Sequence, residues 1–463
     1  MRTLATDREI GHGDYFLRFL GIALLGYAVI GKGFAYIGVP PLYIGEMVLA
    51  YGVFALCMSE NWSRVLRTGW VWPLLAYMAW GLIRTVPYIS IYGPDALRDA
   101  AIWIWGLFSI VIASLLACEP RRLLTLERYF RVFAKIFIIV APITYCIYVF
   151  YPEAVPDAPW ADVPLILIKG GDVVVHLTGI FAFAVLLGGL NPIFIVAGLI
   201  IDLGATFTGR AAMVTFGMGS VILACMRPKS PIIRGVFATL LLGVAIMWIY
   251  DIHIKSSHEP FREISADQIF QNVQSIFTNS DNQDLAGSKE WRLLWWDTIF
   301  NYTIHGKYFW TGKGFGVNLA DDDGFQVEED HSLRSPHNGH LTQLARGGVP
   351  GLALWIVCHL TWLYWMIDSA VRAHRSGQTR WTSLFVFLII YWAAFMTNAA
   401  FDVYLEGPTG GIWMWTVYGV GLGALWIYRK CPESFEPKEI EAEPAREIAE
   451  SATEPQEEAV PTA

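Results

Sequence analysis

Long apolar runs, several of them nearly adjacent, constrain this chain more than any other feature of its sequence. The runs 193–207, 211–226, 232–250 and 349–367 approach or reach the roughly 20 residues that a helix needs to cross the hydrocarbon core of a bilayer. Of the 463 residues, 55% are hydrophobic and only 16% are charged, whereas soluble domains carry about 25% charged residues. The sequence therefore predicts an all-α integral membrane protein and excludes a soluble fold.

Twelve membrane-spanning helices are predicted, and basic residues indicate their orientation. Arg and Lys concentrate on alternate connections, for example at Arg121 and Arg122 and again at Arg372 and Arg375. The positive-inside rule places these connections, and with them both termini, in the cytoplasm. The predicted spans are 16–37, 43–58, 71–83, 101–117, 136–150, 173–190, 193–207, 211–226, 232–250, 349–367, 384–397 and 411–428.

One connection differs from the others in length and composition. Residues 251–348 form a large polar loop between predicted helices 9 and 10, on the outer side, with helical spacing over 291–302. We therefore expect four parts: helices 1–9 in 1–250, the folded loop domain 251–348, helices 10–12 in 349–428, and a cytoplasmic tail, 429–463. The tail is acidic and poor in large apolar residues, which predicts disorder.

Three residues are candidates for chemistry. Arg210 lies between two apolar runs, where a cation is costly unless an anion meets it; the alternative is an Arg that snorkels to headgroups or pairs with a carboxylate. Arg292 lies on a predicted amphipathic helix, and its planar fork matches phosphate oxygens, although a surface ion pair explains it equally well. His337 can accept a proton near neutral pH, but a His at a loop–helix junction is more often a cap or packing residue.

Three further signals are weaker. The glycines of 312–316 could cradle phosphate, but the strand–turn–helix context of a phosphate loop is absent. The acidic run 321–323 could hold a divalent cation, but its spacing fits no calcium loop, and a solvated acidic loop is the preferred interpretation. Asp402 and Glu406, between the last two predicted helices, could bond to a substrate or pair with Arg98 or Arg210.

Taken together, these residues resemble the O-antigen ligase and polymerase superfamily of bacterial envelope glycosyltransferases. The ligase motif is a His followed by Asn, Ser or Gln, nine residues, Gly, two residues, and Gly, Thr or Tyr, which His337, Asn338, Gly348 and Gly351 match. An Arg between adjacent helices, here Arg210, and a loop segment around Arg292 are also similar to the family. The resemblance covers most of the chain apart from the tail.

The resemblance implies a GT-C-like membrane fold and a metal-independent, inverting transfer of a glycan from undecaprenyl diphosphate, without a cofactor. Arg210 and Arg292 would then bind the donor's diphosphate, and His337 would act as general base toward the acceptor hydroxyl. Asn338, Gly348 and Gly351 would support the motif, and the apolar helices would provide a lateral groove for the polyprenyl chain. The reaction would take place at the periplasmic face of the bacterial inner membrane.

The acceptor stays open at this point. Lipid A core, as in an O-antigen ligase, is favoured because the His-to-Gly spacing is complete, and an O-antigen or exopolysaccharide polymerase is the first alternative. Transfer to a protein hydroxyl would use the same donor chemistry. A transporter of lipid-linked sugars is the second alternative, but transporters usually place their charged site near the midplane, between repeated halves, and no repeat is visible here.

Overall fold

The computed structural model describes residues 11–40, 42–206, 209–254, 265–277 and 283–436. Thr208, which belongs to the Arg210 motif, lies outside the described residues, as does the predicted disordered tail from residue 437 onward. The described chain is almost entirely helical, with one two-stranded antiparallel sheet that pairs β1 (Gly38–Val39) with β2 (Leu42–Tyr43). The predicted all-α class is confirmed.

Helices form wherever the sequence carries an apolar run, because a backbone inside a bilayer must satisfy its own hydrogen bonds. The helices before the large loop are α1 (His12–Val29), α2 (Lys32–Ala35), α3 (Ile44–Cys57), α4 (Trp72–Tyr92), α5 (Pro94–Ile104), α6 (Gly106–Cys118), α7 (Arg122–Phe150), α8 (Gly170–Leu186), α9 (Pro192–Thr206), α10 (Arg210–Met226) and α11 (Pro231–Ile249). Those within and after the loop are α12 (Ala266–Phe277), α13 (Gln283–Tyr302), α14 (Leu319–Asp323), α15 (Gly339–Arg375), α16 (Thr379–Ala399) and α17 (Pro408–Lys430).

Among the described residues, seven helical segments are long and apolar enough to cross a membrane, so the chain is a multi-pass membrane protein. They are α4, the segment Pro94–Cys118 that joins α5 and α6, α7, α11, α15, α16 and α17. Four shorter apolar helices accompany them: α3, α8, α10 and residues Pro192–Gly204 of α9. The count of twelve spans stays a prediction.

The centre of the bundle is formed by α17, α16 and α6. Most of α17 and α16 is buried, whereas α11 and α4 are largely exposed at the periphery, where lipid would cover their apolar side chains. The helices α6 and α17 approach closely, since a Cβ on Gly419 would lie 2.6 Å from the backbone of Ser109. Small residues at helix contacts permit this close approach in membrane proteins.

Several helices extend beyond the predicted spans. Helix α4 continues past its predicted end at residue 83 to Tyr92, and Arg84, the first residue beyond that predicted end, donates a hydrogen bond to the carbonyl of Thr311 in the loop domain. Helix α15 begins ten residues before the predicted position 349, at Gly339, and contains a break at Gly348. The predicted boundary at 348/349 therefore marks a break inside a helix rather than its start.

The acidic tail was predicted to begin at residue 429, but the first part of that stretch is folded. Arg429 and Lys430 complete α17, and Phe435 is buried. The side chain of Glu436 accepts hydrogen bonds from the backbone N–H groups of Arg380 (3.1 Å) and Trp381 (3.2 Å), at the start of α16. The apolar ring of Phe435 and this capping carboxylate explain why the segment packs despite its polar composition.

Candidate functional site

The site lies at the end of the bundle where α8, α10, α15 and α17 begin and α16 ends, which we call the site end. His337 directly precedes α15, and Asn338 is the N-cap of that helix: its side-chain oxygen accepts from the N–H groups of His340 (3.0 Å) and Leu341 (3.1 Å). Side chains of this type cap helices because the first N–H groups have no partner within the helix. His337 itself has a left-handed backbone (φ 51°).

Asp402 is the carboxylate toward which the site residues converge. The loop between α16 and α17 holds it through its N–H, which donates to the carbonyl of Asn398 (3.1 Å), and through its Oδ1, which accepts from the N–H of Val403 (2.8 Å). Lys169 donates to both carboxylate oxygens, at 2.9 and 2.8 Å, and His337 Nδ1 lies 3.5 Å from Oδ1. Burial alone would raise the pKa of Asp402, but Lys169 and His337 hold that pKa well below its usual range.

Lys169 reaches Asp402 because the backbone just before α8 is anchored to the start of the chain. Gly31 and Leu167 form a parallel β-bridge, which places Lys169 beside the loop between α16 and α17. One turn into α8, Asp172 accepts a hydrogen bond from Asn398 of α16 (3.2 Å). Burial would lower the pKa of Lys169, but Asp402 and Asp172 outweigh this effect and raise it. Lys169 is therefore a charged ammonium at neutral pH.

Arg292, in the loop domain, lies near the same carboxylate, and Arg210, at the start of α10, lies near Arg292. Arg292 lies on α13, as the helical spacing predicted, and its Nη1 donates to the carbonyl of Phe401 at 3.0 Å. Burial lowers the pKa of Arg292, nearby Arg210 lowers it further, and Asp402 opposes both. Arg210 is the first residue of α10 and makes no hydrogen bond or ion pair with any described residue. Its guanidinium is thus available to an anion.

The motif glycines Gly348 and Gly351 contribute backbone shape. Gly348 has φ 68°, and a Cβ there would lie 2.6 Å from the carbonyl oxygen of Phe309. Gly312, with φ 58°, faces Gly348, and a Cβ added to Gly312 would lie 2.6 Å from the backbone nitrogen of Gly348. These two segments meet backbone to backbone, a contact that a side chain would prevent. At Gly351 the contacts are looser: a Cβ would lie 3.3 Å from the carbonyl oxygen of Gln343.

The glycine segment 312–316 joins the loop domain to the bundle, and its N–H groups are used within the protein. Gly314 N–H donates to the carbonyl of Arg346 (3.0 Å), and Gly316 N–H donates to the carboxylate of Asp99 on α5 (2.9 Å). Asp99 also pairs with Arg334 (3.0 Å) and with the buried Arg346 (2.8 Å). The possible phosphate cradle is therefore a structural junction.

The acidic run 321–323 was interpreted as a solvated loop, and this is wrong for Asp323, whose carboxylate is buried, whereas Asp321 and Asp322 are exposed. Asp322 and Asp323 pair with Lys313 of the glycine segment. Asp323 is buried and also accepts a hydrogen bond from Trp295 Nε1 (2.6 Å). Within the described part of the chain, no group of three or more His, Cys, Asp or Glu side chains has an arrangement that could hold a metal ion.

The structure therefore brings His337, Arg292 and Lys169 to Asp402, and Arg210 to Arg292. Lys169 was not among the candidate residues predicted from the sequence, and Asp402 was given Arg98 or Arg210 as a possible partner. Arg98 instead lies 3.8 Å from Asp95. The available signal was the position of Lys169 directly before an apolar run, which places an ammonium at a membrane boundary.

An apolar cavity of about 580 Å³ opens in the other half of the bundle, between α1, α7, α8, α16 and α17. Leu20, Phe130, Phe387 and Trp413 are among its lining residues. It includes Leu123 and Leu126 at the start of α7, whereas Lys169 and Asp402 lie at the opposite ends of its walls. The cavity is thus separated from the charged cluster along the helix axes.

Comparison with known families assigns the central part of the chain. Residues 193–356 match the family model described as O-antigen ligase, whose members are membrane glycosyltransferases. The matched segment contains Arg210, Arg292 and His337, whereas Lys169 and Asp402 lie outside it. A comparison with curated proteins finds no match. Residues 193–356 are accordingly similar to an O-antigen ligase domain, and this match supports the resemblance to the O-antigen ligase and polymerase superfamily.

Proposed function

We propose that this protein is an O-antigen ligase that transfers a glycan from undecaprenyl diphosphate to the lipid A core at the periplasmic face of the bacterial inner membrane. The observation that carries the proposal is that His337 and Arg292 lie at Asp402, with Arg210 near Arg292, at one end of the bundle. Two cations would then face the place where negative charge develops, and a base would lie beside them. This is the arrangement that glycosyl transfer from a diphosphate requires.

The arginines would bind the diphosphate of the donor. As the bond between the anomeric carbon and the phosphate oxygen breaks, negative charge grows on the leaving diphosphate. Arg210, which has no ion-pair partner among the described residues, and Arg292, half-buried beside it, would stabilise that charge with forked hydrogen bonds. These two cations supply the charge compensation themselves, so the proposed step does not call for a divalent ion.

His337 would accept the proton of the attacking hydroxyl. If its Nδ1–H donates to Asp402 Oδ1, the Nε2 lone pair is free to act as the base. The hydroxyl oxygen forms the new bond to the anomeric carbon on the face opposite the leaving diphosphate, and a single displacement of this kind inverts the configuration. The 3.5 Å separation of Nδ1 and Oδ1 is expected to shorten in the substrate complex.

The acceptor distinguishes the ligase from the first alternative, an O-antigen or exopolysaccharide polymerase, which would use the same donor site. The complete spacing from His337 to Gly351 favours the ligase. A transporter of lipid-linked sugars is less well supported, since Arg210, His337 and Asp402 all lie at helix ends on one side of the bundle. Transporters usually bind near the midplane.

The experiment uses purified protein in lipid vesicles with an undecaprenyl-diphosphate-linked glycan, in EDTA. One reaction contains lipid A core, and a second contains additional lipid-linked repeat units. Transfer to lipid A core by the wild type, lost in His337→Ala, supports the ligase. His331→Ala is the matched control, because His331 is exposed in the same loop domain and pairs only with Asp321. Chain growth in the second reaction would instead identify a polymerase, and no transfer in either would refute both.

A further inference from the structure

Three donors converge on one oxygen of Asp402, Oδ1, which has only two lone pairs. Oδ2 accepts from Lys169 at 2.8 Å, and Oδ1 accepts from Lys169 at 2.9 Å and from the N–H of Val403 at 2.8 Å. His337 Nδ1 is left at 3.5 Å from Oδ1, beyond the usual range of a nitrogen–oxygen hydrogen bond. Lys169 therefore holds the carboxylate that the proposed base would need.

Lys169 is free to leave this position. Its side chain is 49% exposed, whereas that of Asp402 is only 20% exposed. Lysine carries its charge on a flexible stem with three rotatable donors, so it can change partners without a movement of the backbone. Because Lys169 precedes the first turn of α8, the displacement would not disturb the helix.

The charges of three cations at the site end influence one another. Arg210 lies close enough to Arg292 to lower its pKa, and Arg292 acts in the same sense on Lys169. In the absence of an anion, their mutual repulsion favours the contact of Lys169 with Asp402. A diphosphate beside the two arginines would reverse the local potential and attract the ammonium.

We propose that Lys169 is the third cation of the donor site, and that it moves from Asp402 to the diphosphate when the donor binds, which frees Oδ1 to orient His337. The proposal rests on the function proposed above. Lys169 is then a positioning residue for the base, and the base is aligned only when the leaving group is in place. Binding of the donor and activation of the acceptor hydroxyl are coupled through one carboxylate.

The first test measures the affinity of full-length protein in lipid nanodiscs for undecaprenyl diphosphate without a glycan. Loss of one charge-assisted contact predicts a Kd about tenfold higher for Lys169→Met. Lys169→Arg should bind nearly as the wild type does. The matched control is Lys307→Met, since Lys307 is exposed in the loop domain and contacts only the ring of Tyr308. Wild-type affinity in Lys169→Met would overturn the proposal.

A double-mutant cycle tests the exchange itself. Asp402→Asn removes the competitor for Lys169, so this variant should bind undecaprenyl diphosphate more tightly than the wild type although it loses turnover. The gain should disappear when Lys169→Met is also present, because no ammonium is then released. If the double variant keeps the full gain in affinity for undecaprenyl diphosphate, Asp402 affects binding only through its charge. The proposed movement of Lys169 would then be wrong.

Turnover separates this role from a purely structural one. In Lys169→Met the diphosphate loses one of its three cations, so KM for the donor should rise about tenfold, and kcat should fall as well because the leaving group is less stabilised. A fall in kcat at unchanged KM would mean that Lys169 merely holds Asp402. If binding depends on Arg210 and Arg292 but not on Lys169, only this inference fails; if it depends on none of the three, the proposed donor site fails as well.

Discussion

Two carboxylates in the loop between α16 and α17 have opposite electrostatic surroundings. Asp402 lies among cations and keeps its charge. For Glu406, burial raises the pKa to about 7, although nearby Arg346 opposes the shift. Glu406 Oε1 has no hydrogen-bond partner among the described residues. Near neutral pH, Asp402 is therefore ionised, whereas Glu406, four residues away, is partly protonated.

The raised pKa of Glu406 predicts a loss of stability with increasing pH. Folded Glu406 binds its proton more tightly than the unfolded chain does, so its stabilising contribution is complete below the ordinary pKa of 4.5 and is lost as the pH rises through about 7. The loss is at most about 3 kcal/mol. The Gln side chain in Glu406→Gln stays neutral at every pH. The Tm of this variant should therefore fall less between pH 5 and pH 8.5 than the Tm of the wild type.

The matched control is Glu328→Gln, at an exposed position of the loop domain. Its Tm should follow the wild type at both pH values in the same thermal unfolding series. An equal pH dependence for Glu406→Gln and the wild type would show that Glu406 is ionised throughout.

Arg210 offers a test of fork geometry against charge. Lysine preserves the charge of Arg210 but not the planar pair of donors that matches a phosphate, so Arg210→Lys should reduce transfer at least about tenfold in the vesicle assay. Arg128→Lys is the control, since Arg128 is exposed and bonds only to Thr125 on its own helix. Wild-type turnover in Arg210→Lys would reassign Arg210 to anchoring at the membrane surface.

At the scale of elements, the break in α15 is where the loop domain and the bundle are joined. The first segment of α15 ends against the glycine segment, where Lys313 N–H donates to the carbonyl of Ala345 (2.7 Å). Beyond the break, Val349 N–H donates to the carbonyl of Phe309 (2.8 Å). The break thus leaves the carbonyl of Ala345 and the N–H of Val349 free to bond to the loop domain. In an unbroken helix, these groups would form hydrogen bonds within the helix. His337, at the start of the same segment, is held in place by this junction.

Gly348→Ala should damage this junction. A left-handed backbone costs an alanine roughly 1–2 kcal/mol, and the added Cβ would also lie 2.6 Å from the carbonyl oxygen of Phe309. We expect a lower Tm and reduced transfer. Gly351→Ala is the matched comparison: its nearest contacts are 3.3 Å away, so its effect on both measurements should be clearly smaller. Equal effects of the two substitutions would contradict the backbone-contact argument.

For the whole molecule, the end of the described chain closes the bundle at the end opposite the site. Phe435 packs against Trp381 with ring centroids 4.8 Å apart, and the guanidinium of Arg380 lies 4.3 Å from the Phe435 ring centroid. Trp381 Nε1 also donates to the carbonyl of Pro432 (3.0 Å). Residues 431–436 therefore connect the end of α17 to the start of α16.

This contact predicts different outcomes for two truncations. Ending the chain after Glu436 should leave both Tm and transfer close to those of the full-length protein. Ending it after Lys430 removes the buried Phe435 ring and the acceptor for the first N–H groups of α16, which should lower the Tm, since burial of an aromatic side chain contributes about 1.5–3 kcal/mol. Equal Tm values for the two truncated proteins would show that residues 431–436 contribute nothing.

Much of the fold was determined by local sequence. The spans that became α8, α9, α10 and α11 were predicted with starts within three residues of the observed ones, because an apolar run in lipid has no alternative to a helix. Helical spacing likewise predicted the part of α13 that carries Arg292. The start of α15 was missed, although its signal, the Asn338 cap, was a local one.

The partners of the charged residues were decided only by the tertiary structure. Lys169 and Asp402 are 233 positions apart, and Asp99 and Arg334 are separated by 235. The free energy of moving a segment from water into lipid depends on the residues of that segment alone. It can therefore be evaluated from the sequence, segment by segment. An ion pair depends on which helix ends and loops become neighbours after the helices have packed, and the spacing of residues in the sequence carries no record of that.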